Sequence, residues 1–276
     1  MAIRSLTIAV ALAFAGAATA QDSSELTVDG EALITDAAAP AHLENLDTIY
    51  SGWRFRSAET QALQTDDFDN PAFVFVDQAT DLWETVDGSE GKACASCHEA
   101  VEDFAGLRAS MPRVEDGQIV TLENLVNECR TDRMGAEAWK WSGGQMTAMT
   151  ALIGLQSRGM TVDVAIDGDA APFWEMGKEL YYTRVGQLDM ACSNCHEDNY
   201  GIMIRADHLS QGQINGFPTY RLKNAKLNSS HGRFKGCMSN IRATPYKEGG
   251  DEFKALELYL ASRGNGLVIE TPSVRN

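Results

Sequence analysis

The pattern Cys-x-x-Cys-His occurs twice in this chain, as Cys94-Ala95-Ser96-Cys97-His98 and as Cys192-Ser193-Asn194-Cys195-His196. This is the attachment pattern of c-type haem, in which two thiols form thioethers to the porphyrin and the imidazole takes one face of the iron. A zinc ribbon would bring its second cysteine pair within about 15–20 residues of the first. Neither zinc nor a redox dithiol needs a histidine directly after each pair. The chain is therefore expected to carry two covalently bound haem c groups.

The surroundings of the two motifs repeat. Asp81-Leu82-Trp83 stands as far before the first motif as Glu179-Leu180-Tyr181 does before the second. Gly88 matches Gly186, Ala93 matches Ala191, and Met111-Pro112 matches Phe217-Pro218 further on. One further cysteine follows in each half, Cys129 and Cys237, and each half closes with an apolar stretch running into Ser-Arg-Gly. Glycine there reads as a helix C-terminal cap. Asp69-Asn70-Pro71 reads as a helix start, with proline at the first helical position. The order of each half is helix, haem motif, proline loop, lone cysteine and closing helix. The expected fold is mainly α, two tandem cytochrome c-type domains from an internal duplication with an extended N-terminal arm. A single fused helical domain with both haems in one core is the alternative.

The expected boundaries are a signal peptide at 1–20, the arm at 21–69, the first domain at 70–165 and the second at 166–276. Arg4 gives a positive start, Leu6 to Ala17 an apolar run, and Ala18-Thr19-Ala20 a cleavage site,. The run is short for a spanning helix and no longer one follows, so a periplasmic protein without a membrane span is expected. Residues 21–69 show no clear period and read as the arm, with one short helix. Asp163 to Pro172 reads as the linker. The formal charge of −16 argues against nucleic acid as a partner,.

Four of the six cysteines belong to the haem motifs, which leaves Cys129 and Cys237. In an oxidising compartment they would pair in one disulfide. As iron ligands they compete with Met111, Met134, Met146 and Met149 in the first half, and with Met203, His208, His231 and Met238 in the second, because Met or His is the usual second ligand in c-type cytochromes. Charge separates the halves. Eight basic residues lie between Asn199 and Lys247 against the single acid Asp207. A positive patch over one haem on an anionic protein focuses anions there; a docking face for an acidic protein has the same composition. Arg233, four residues before Cys237, is the best anion clamp, since its planar fork holds two oxygens at once. Lys235 would add point charge. A thiolate on iron donates electron density and would lower the reduction potential, which suits a site where the sulfur itself reacts.

On Asp69-Asn70-Pro71, Cys94 to His98, Asn127-Glu128-Cys129-Arg130, Cys192 to His196, Gly216-Phe217-Pro218-Thr219-Tyr220-Arg221 and Arg233-Phe234-Lys235-Gly236-Cys237-Met238, the chain resembles SoxA, the dihaem subunit of the SoxAX cytochrome of bacterial thiosulfate oxidation. The likeness spans nearly the whole mature chain, and the Arg-x-Lys-Gly-Cys run is its specific part. The resemblance implies a heterodimer with SoxX, a smaller monohaem cytochrome. It implies L-cysteine S-thiosulfotransferase activity, coupling thiosulfate oxidatively to a cysteine of SoxY in the carrier SoxYZ. It implies His/Cys ligation at both haems, a persulfide on Cys237, and Arg233 at the substrate.

The expectation is therefore an enzyme in which Cys94, Cys97, His98 and Cys129 hold one haem, as a structural site or a relic of duplication. Cys192, Cys195, His196 and Cys237 hold the other, and Cys237 and Arg233 are catalytic. Electrons would leave through haem to an acceptor cytochrome. The rival is a dihaem electron-transfer cytochrome without sulfur chemistry of its own. A dihaem peroxidase and a non-catalytic scaffold for a partner's arm are weaker rivals.

Overall fold

A computed structural model describes residues 25–205 and 207–276. The expected signal peptide, residues 1–20, lies outside the described residues.

Alternation of buried and exposed side chains makes Glu25–Val28 (β1) and Glu31–Ile34 (β2) an antiparallel hairpin,. Its Asp29-Gly30 turn takes left-handed backbone at both residues, φ 49° and 88°, the geometry that matches strand twist. Asp36–Ala38 (β3) pairs with Thr48–Tyr50 (β4), and Ser57 caps the short helix Ala58–Ala62 (α1). The segment expected as an extended arm thus holds two hairpins and one short helix, folded on the same chain. Leu26, Val28, Leu33 and Trp53 close over Val268, and Leu43 and Ile49 over Leu267.

Phe73–Glu84 (α2) begins two residues after Pro71. Asn70 is nonetheless part of its start: its side-chain oxygen accepts from the Ala72 amide at 3.0 Å, while its amide donates to the Pro272 carbonyl at 3.0 Å. Val76, Ala79 and Trp83 form the buried face of α2, which packs on Gly144–Leu155 (α4). Between these helices lie the hairpin Arg113–Glu115 (β5) and Gln118–Val120 (β6), then Leu122–Glu128 (α3), capped by Thr121.

The second half runs Ala171–Tyr182 (α5), Cys192–His196 (α6), the small hairpin Met203–Ile204 (β7) and Asp207–His208 (β8), then Thr219–Arg221 (β9), Lys226–Asn228 (β10), Ser230–Asn240 (α7), Asp251–Ser262 (α8) and Ser273–Arg275 (β11). Strand β9 is central, antiparallel to β10 and parallel to β11. Helix α5 crosses α8 closely because position 177 is glycine: a Cβ there would overlap the carbonyl of Ala255. Phe253, Leu258 and Tyr259 of α8 are fully buried, and the first two each contribute about 1.5–3 kcal/mol of apolar burial.

Matched positions of the two halves share backbone detail. Gly88 and Gly186 both take φ 75°, and a Cβ on either would overlap the backbone of a later loop, at Met134 and at Ile241. The proline loop of each half contains a cis peptide, Met111-Pro112 and Phe217-Pro218. Two apolar cores form, one mainly around α2, α3 and α4, the other around α5, α7 and α8. The cores borrow across the boundary: Leu227 joins the first, and Ala109, Val162 and Val164 the second. The stretch read as a linker is therefore anchored at its start. Val164 sits in the second core, and the Asp163 amide donates to the Ala109 carbonyl at 2.9 Å. The closing helices stop before the expected glycines. Helix α4 ends at Leu155 and Gly159 turns the chain at φ 80°, whereas Gly264 has no left-handed backbone. The arginines of those Ser-Arg-Gly runs make ion pairs instead: Arg158 with Asp67, and Arg263 with Glu197.

Candidate functional site

The second Cys-x-x-Cys-His motif is one helical turn, α6, so Cys192 and Cys195 share a face,. Asn194 closes the start of that turn by accepting from the Ala191 amide at 2.9 Å. His196 lies against the backbone of Gly212, whose φ is 88° and where a Cβ would stand 3.1 Å from His196 Cγ. Its Nδ1–H donates to the Ser210 carbonyl at 2.7 Å, which fixes the tautomer and leaves the Nε2 lone pair for a metal. Burial, and secondarily the charge of Arg233, hold this imidazole neutral, down to about 4.

None of the six cysteines is in a disulfide. Cys237 stands with Cys192 and Cys195, and Cys129 with Cys94 and Cys97. Burial, then the neighbouring Cys237, pushes Cys192 up to about 12; burial, then Cys129, pushes Cys94 up to about 11. The disulfide between the lone cysteines is thus absent for a geometric reason: each is held beside its own haem motif. The first motif is likewise helical, with Ser96 Oγ accepting from the Ala93 amide at 2.9 Å. His98 packs edge-on against Phe104 at 4.9 Å and near Trp83 at 6.0 Å. Cys129 opens a wide helical turn, Cys129–Arg133, that continues α3; such turns recur at functional positions.

His231 is fully buried: Nδ1 accepts from the Gly249 amide at 3.0 Å, and Nε2 is directed at Glu257 Oε2, 2.9 Å away. Met111, Met146 and Met149 are core residues of the first half, Met134 is buried, and Met203 is 52% exposed. Met238 packs on the second core.

Helix α7 presents Arg233 and Cys237 one turn apart on one face,. Among the described residues the Arg233 guanidinium has no hydrogen-bond or ion-pair partner. Lys235 points elsewhere, 57% exposed and 3.8 Å from Glu248, so the expected extra point charge is directed away from Arg233. Two further arginines join the site: Arg221, one of the eight basic residues of the expected patch, and Arg56, which was not foreseen. Arg56, from the N-terminal segment, is buried; burial, then Arg275, Arg233 and Arg221, holds it down to about 9. Arg221 on β9 lies near Arg233 and Cys237 and is lowered chiefly by burial. Asp207 is the acid among them: it pairs with Arg56 and stands 3.8 Å from Arg221. Nothing local in Trp53-Arg54-Phe55-Arg56 marks Arg56, because its partner lies 151 residues away.

The comparisons with known proteins agree with this geometry. Residues 78–162 match a family model described as SoxA/TsdA, cytochrome c domain. The chain is 55% identical to L-cysteine S-thiosulfotransferase subunit SoxA of Paracoccus pantotrophus, over 97% of this chain and 95% of that one. It is 56% identical to the subunit of the same name from Rhodovulum sulfidophilum, over 96% and 94%. The crystal structure of SoxXA from P. pantotrophus contains a chain that superposes with a TM-score of 0.88 at 56% identity, covering 91% of this chain and 97% of that one.

The chain belongs to the SoxA family.

A cytochrome c domain implies covalently attached haem c, and the residues fit that group. Paired thiols on one turn can form both thioethers. A histidine whose Nδ1 is engaged offers Nε2 to iron, and the glycine at 212 keeps that ring's flank open. Among the described residues no helix is long and apolar enough to cross a membrane.

Proposed function

We propose that this chain is the haem-bearing, catalytic subunit of a periplasmic L-cysteine S-thiosulfotransferase, joining thiosulfate to the carrier cysteine of a SoxYZ-type protein. The observation that carries the reading is an unpaired arginine one turn from a free cysteine, beside the second haem motif. The reaction joins R–SH and S2O3(2−) as R–S–S–SO3(−), releasing one proton and two electrons. Haem c would supply the electron sink. Cys94, Cys97, His98 and Cys129 would hold one haem; Cys192, Cys195, His196 and Cys237 the other, with His98, Cys129, His196 and Cys237 facing iron. Arg233 holds the thiosulfate oxygens as a fork, a charge-assisted contact worth about 1.5–3 kcal/mol. Cys237 would act as an intermediate: its thiolate would join thiosulfate as Cys237–S–S–SO3(−) with loss of two electrons, and the carrier thiolate would then attack the middle sulfur and release the Cys237 thiolate, which gives the same overall balance. Arg56 and Arg221 raise the local positive potential, and Asp207 moderates it.

The matched backbone of the two halves supports two tandem cytochrome c domains, 70–165 and 166–276, arising by duplication. The SoxXA structure supports assembly with a SoxX-like cytochrome, taken as a monohaem one, and the released electrons would pass to a further cytochrome. Secretion through the 1–20 signal peptide places the protein in the periplasm. Replacing Cys237 by Met tests the reading. Haem content should persist while thiosulfate-dependent conjugation to the carrier is lost, and retained turnover would remove Cys237 from the chemistry. The electron-carrier reading is separated by the same assay, since it predicts no conjugation by the native protein.

A further inference from the structure

The two helices that carry the lone cysteines start at one buried cavity. Its volume is about 20 Å³ and it is lined by Arg108, Leu122, Glu123, Thr150, Ser230 and Glu257, with the two proline loops closing over it. That is enough for one water molecule. Glu123 sits at the second position of α3 after its Thr121 cap, six residues before Cys129; His231 sits at the second position of α7 after its Ser229 cap, six residues before Cys237. The two helices are thus anchored at corresponding points, and the anchor on each is a titratable side chain.

The charges around the cavity come from four elements. Glu123 on α3 is 6% exposed and accepts from Thr121 Oγ1 at 2.8 Å. Glu257 on α8 is 5% exposed and lies 2.9 Å from His231 Nε2. Arg108, 6% exposed, donates to the carbonyls of Met111 and Ile214. Lys254, one turn earlier on α8, faces away toward the Ile119 carbonyl and Asp251. Because His231 Nδ1 accepts from a backbone amide, the ring in its neutral form carries its hydrogen on Nε2, the nitrogen 2.9 Å from Glu257 Oε2. Arg108 then balances one carboxylate. A second buried carboxylate would stand uncompensated, at a cost of several kcal/mol.

We infer that Glu123 is held as the neutral acid, that it shares its proton with Glu257 through one water in this cavity, and that this proton positions the N-terminal ends of α3 and α7 against each other. The electrostatics run the same way. Burial and then the proximity of Glu257 push the Glu123 carboxyl up; burial raises Glu257 as well, but the adjacent His231 and then Arg108 outweigh it and hold Glu257 low. Glu257 is the carboxylate of the resting pair, and Glu123 is a positioning residue that acts through the helices bearing Cys129 and Cys237.

Two measurements on the full haem-loaded chain test this. In infrared spectra near neutral pH, the native protein should show a buried protonated-carboxyl carbonyl band that shifts in D2O. Glu123→Gln should abolish that band. Glu257→Gln should weaken it at a given pH, because the like-charged neighbour that keeps Glu123 protonated is gone. Unfolding supplies the second readout. A carboxyl raised in the folded state makes the native form bind the extra proton, so native stability falls as pH rises above about 4.3. The stability difference between native protein and Glu123→Gln should therefore move in favour of the variant as pH increases toward neutrality. The absence of the band from the native protein, its persistence in Glu123→Gln, or parallel pH–stability curves would each overturn the inference.

Discussion

Arg263 ties the end of α8 to the second haem motif. It follows α8, is fully buried, and lies 2.5 Å from Glu197 Oε1, with Glu197 only 6% exposed. Its second nitrogen donates to the Gln211 carbonyl at 3.3 Å and its guanidinium stacks 4.5 Å from the Tyr181 ring centre. Glu197 follows His196, and Gln211 follows the Ser210 carbonyl that orients that imidazole. Arg263→Met keeps the apolar stem and removes every donor. Stranding a buried carboxylate costs about 3–5 kcal/mol. Glu197 retains the Tyr182 hydroxyl at 2.7 Å, which places the loss near the lower end, about 3 kcal/mol. Replacing both partners of a buried pair approaches neutrality, so Glu197→Gln combined with Arg263→Met should recover about 2 kcal/mol of that loss. Urea unfolding of the haem-loaded protein, followed by far-ultraviolet circular dichroism, reads both variants. A loss below about 1 kcal/mol in Arg263→Met, the value of an exposed pair, would refute the reasoning. So would a double variant no more stable than the single one.

Other outcomes follow from the same geometry. Arg233→Lys loses the fork and should raise the thiosulfate concentration needed for half-maximal rate about tenfold, as loss of one charge-assisted bond implies; unchanged kinetics would remove Arg233 from the substrate. Asp207→Asn adds net positive charge beside Arg56 and Arg221 and should lower that concentration, with an advantage that shrinks as salt is added; a salt-independent effect would point to another cause. Gly177→Ala meets backbone on α8 and should cost about 1–3 kcal/mol in the unfolding assay; a neutral change would deny the close crossing. Burial, with Arg263 and Lys178 nearby, holds His42 down to about 4. The unfolded chain therefore binds the extra proton, and stability falls as pH drops from about 6.5 toward that value. His42→Phe should flatten this fall, and an unchanged slope would exclude His42 as its source.

The local grammar of the site was readable in the residues. Two Cys-x-x-Cys-His turns, a lone cysteine placed alike in each half, and Arg233 one turn before Cys237 are short-range patterns, and helix periodicity keeps such neighbours together. Long-range placement was not readable. Residues 21–69 lacked a period because their strands are only three or four residues long, and each borrows its apolar partner from the C-terminal segment. Arg56 was invisible for the same reason. His231 was a fair candidate ligand by type; only the Gly249 amide on Nδ1 and the Glu257 carboxyl beside Nε2, 18 and 26 residues further on, place it away from a haem. Lys235 was misplaced by counting charge without helix phase: two residues from Arg233 on α7, it faces away,.

The claim on which the account turns is that Cys237 and Cys129 face iron opposite His196 and His98. Electron paramagnetic resonance of the oxidised, haem-loaded protein tests it directly. The account predicts low-spin ferric signals of histidine–thiolate ligation from both haems, with the signal of the second lost or shifted in Cys237→Met and that of the first unchanged. Histidine–methionine signals in the native protein, or a spectrum indifferent to that substitution, would contradict it.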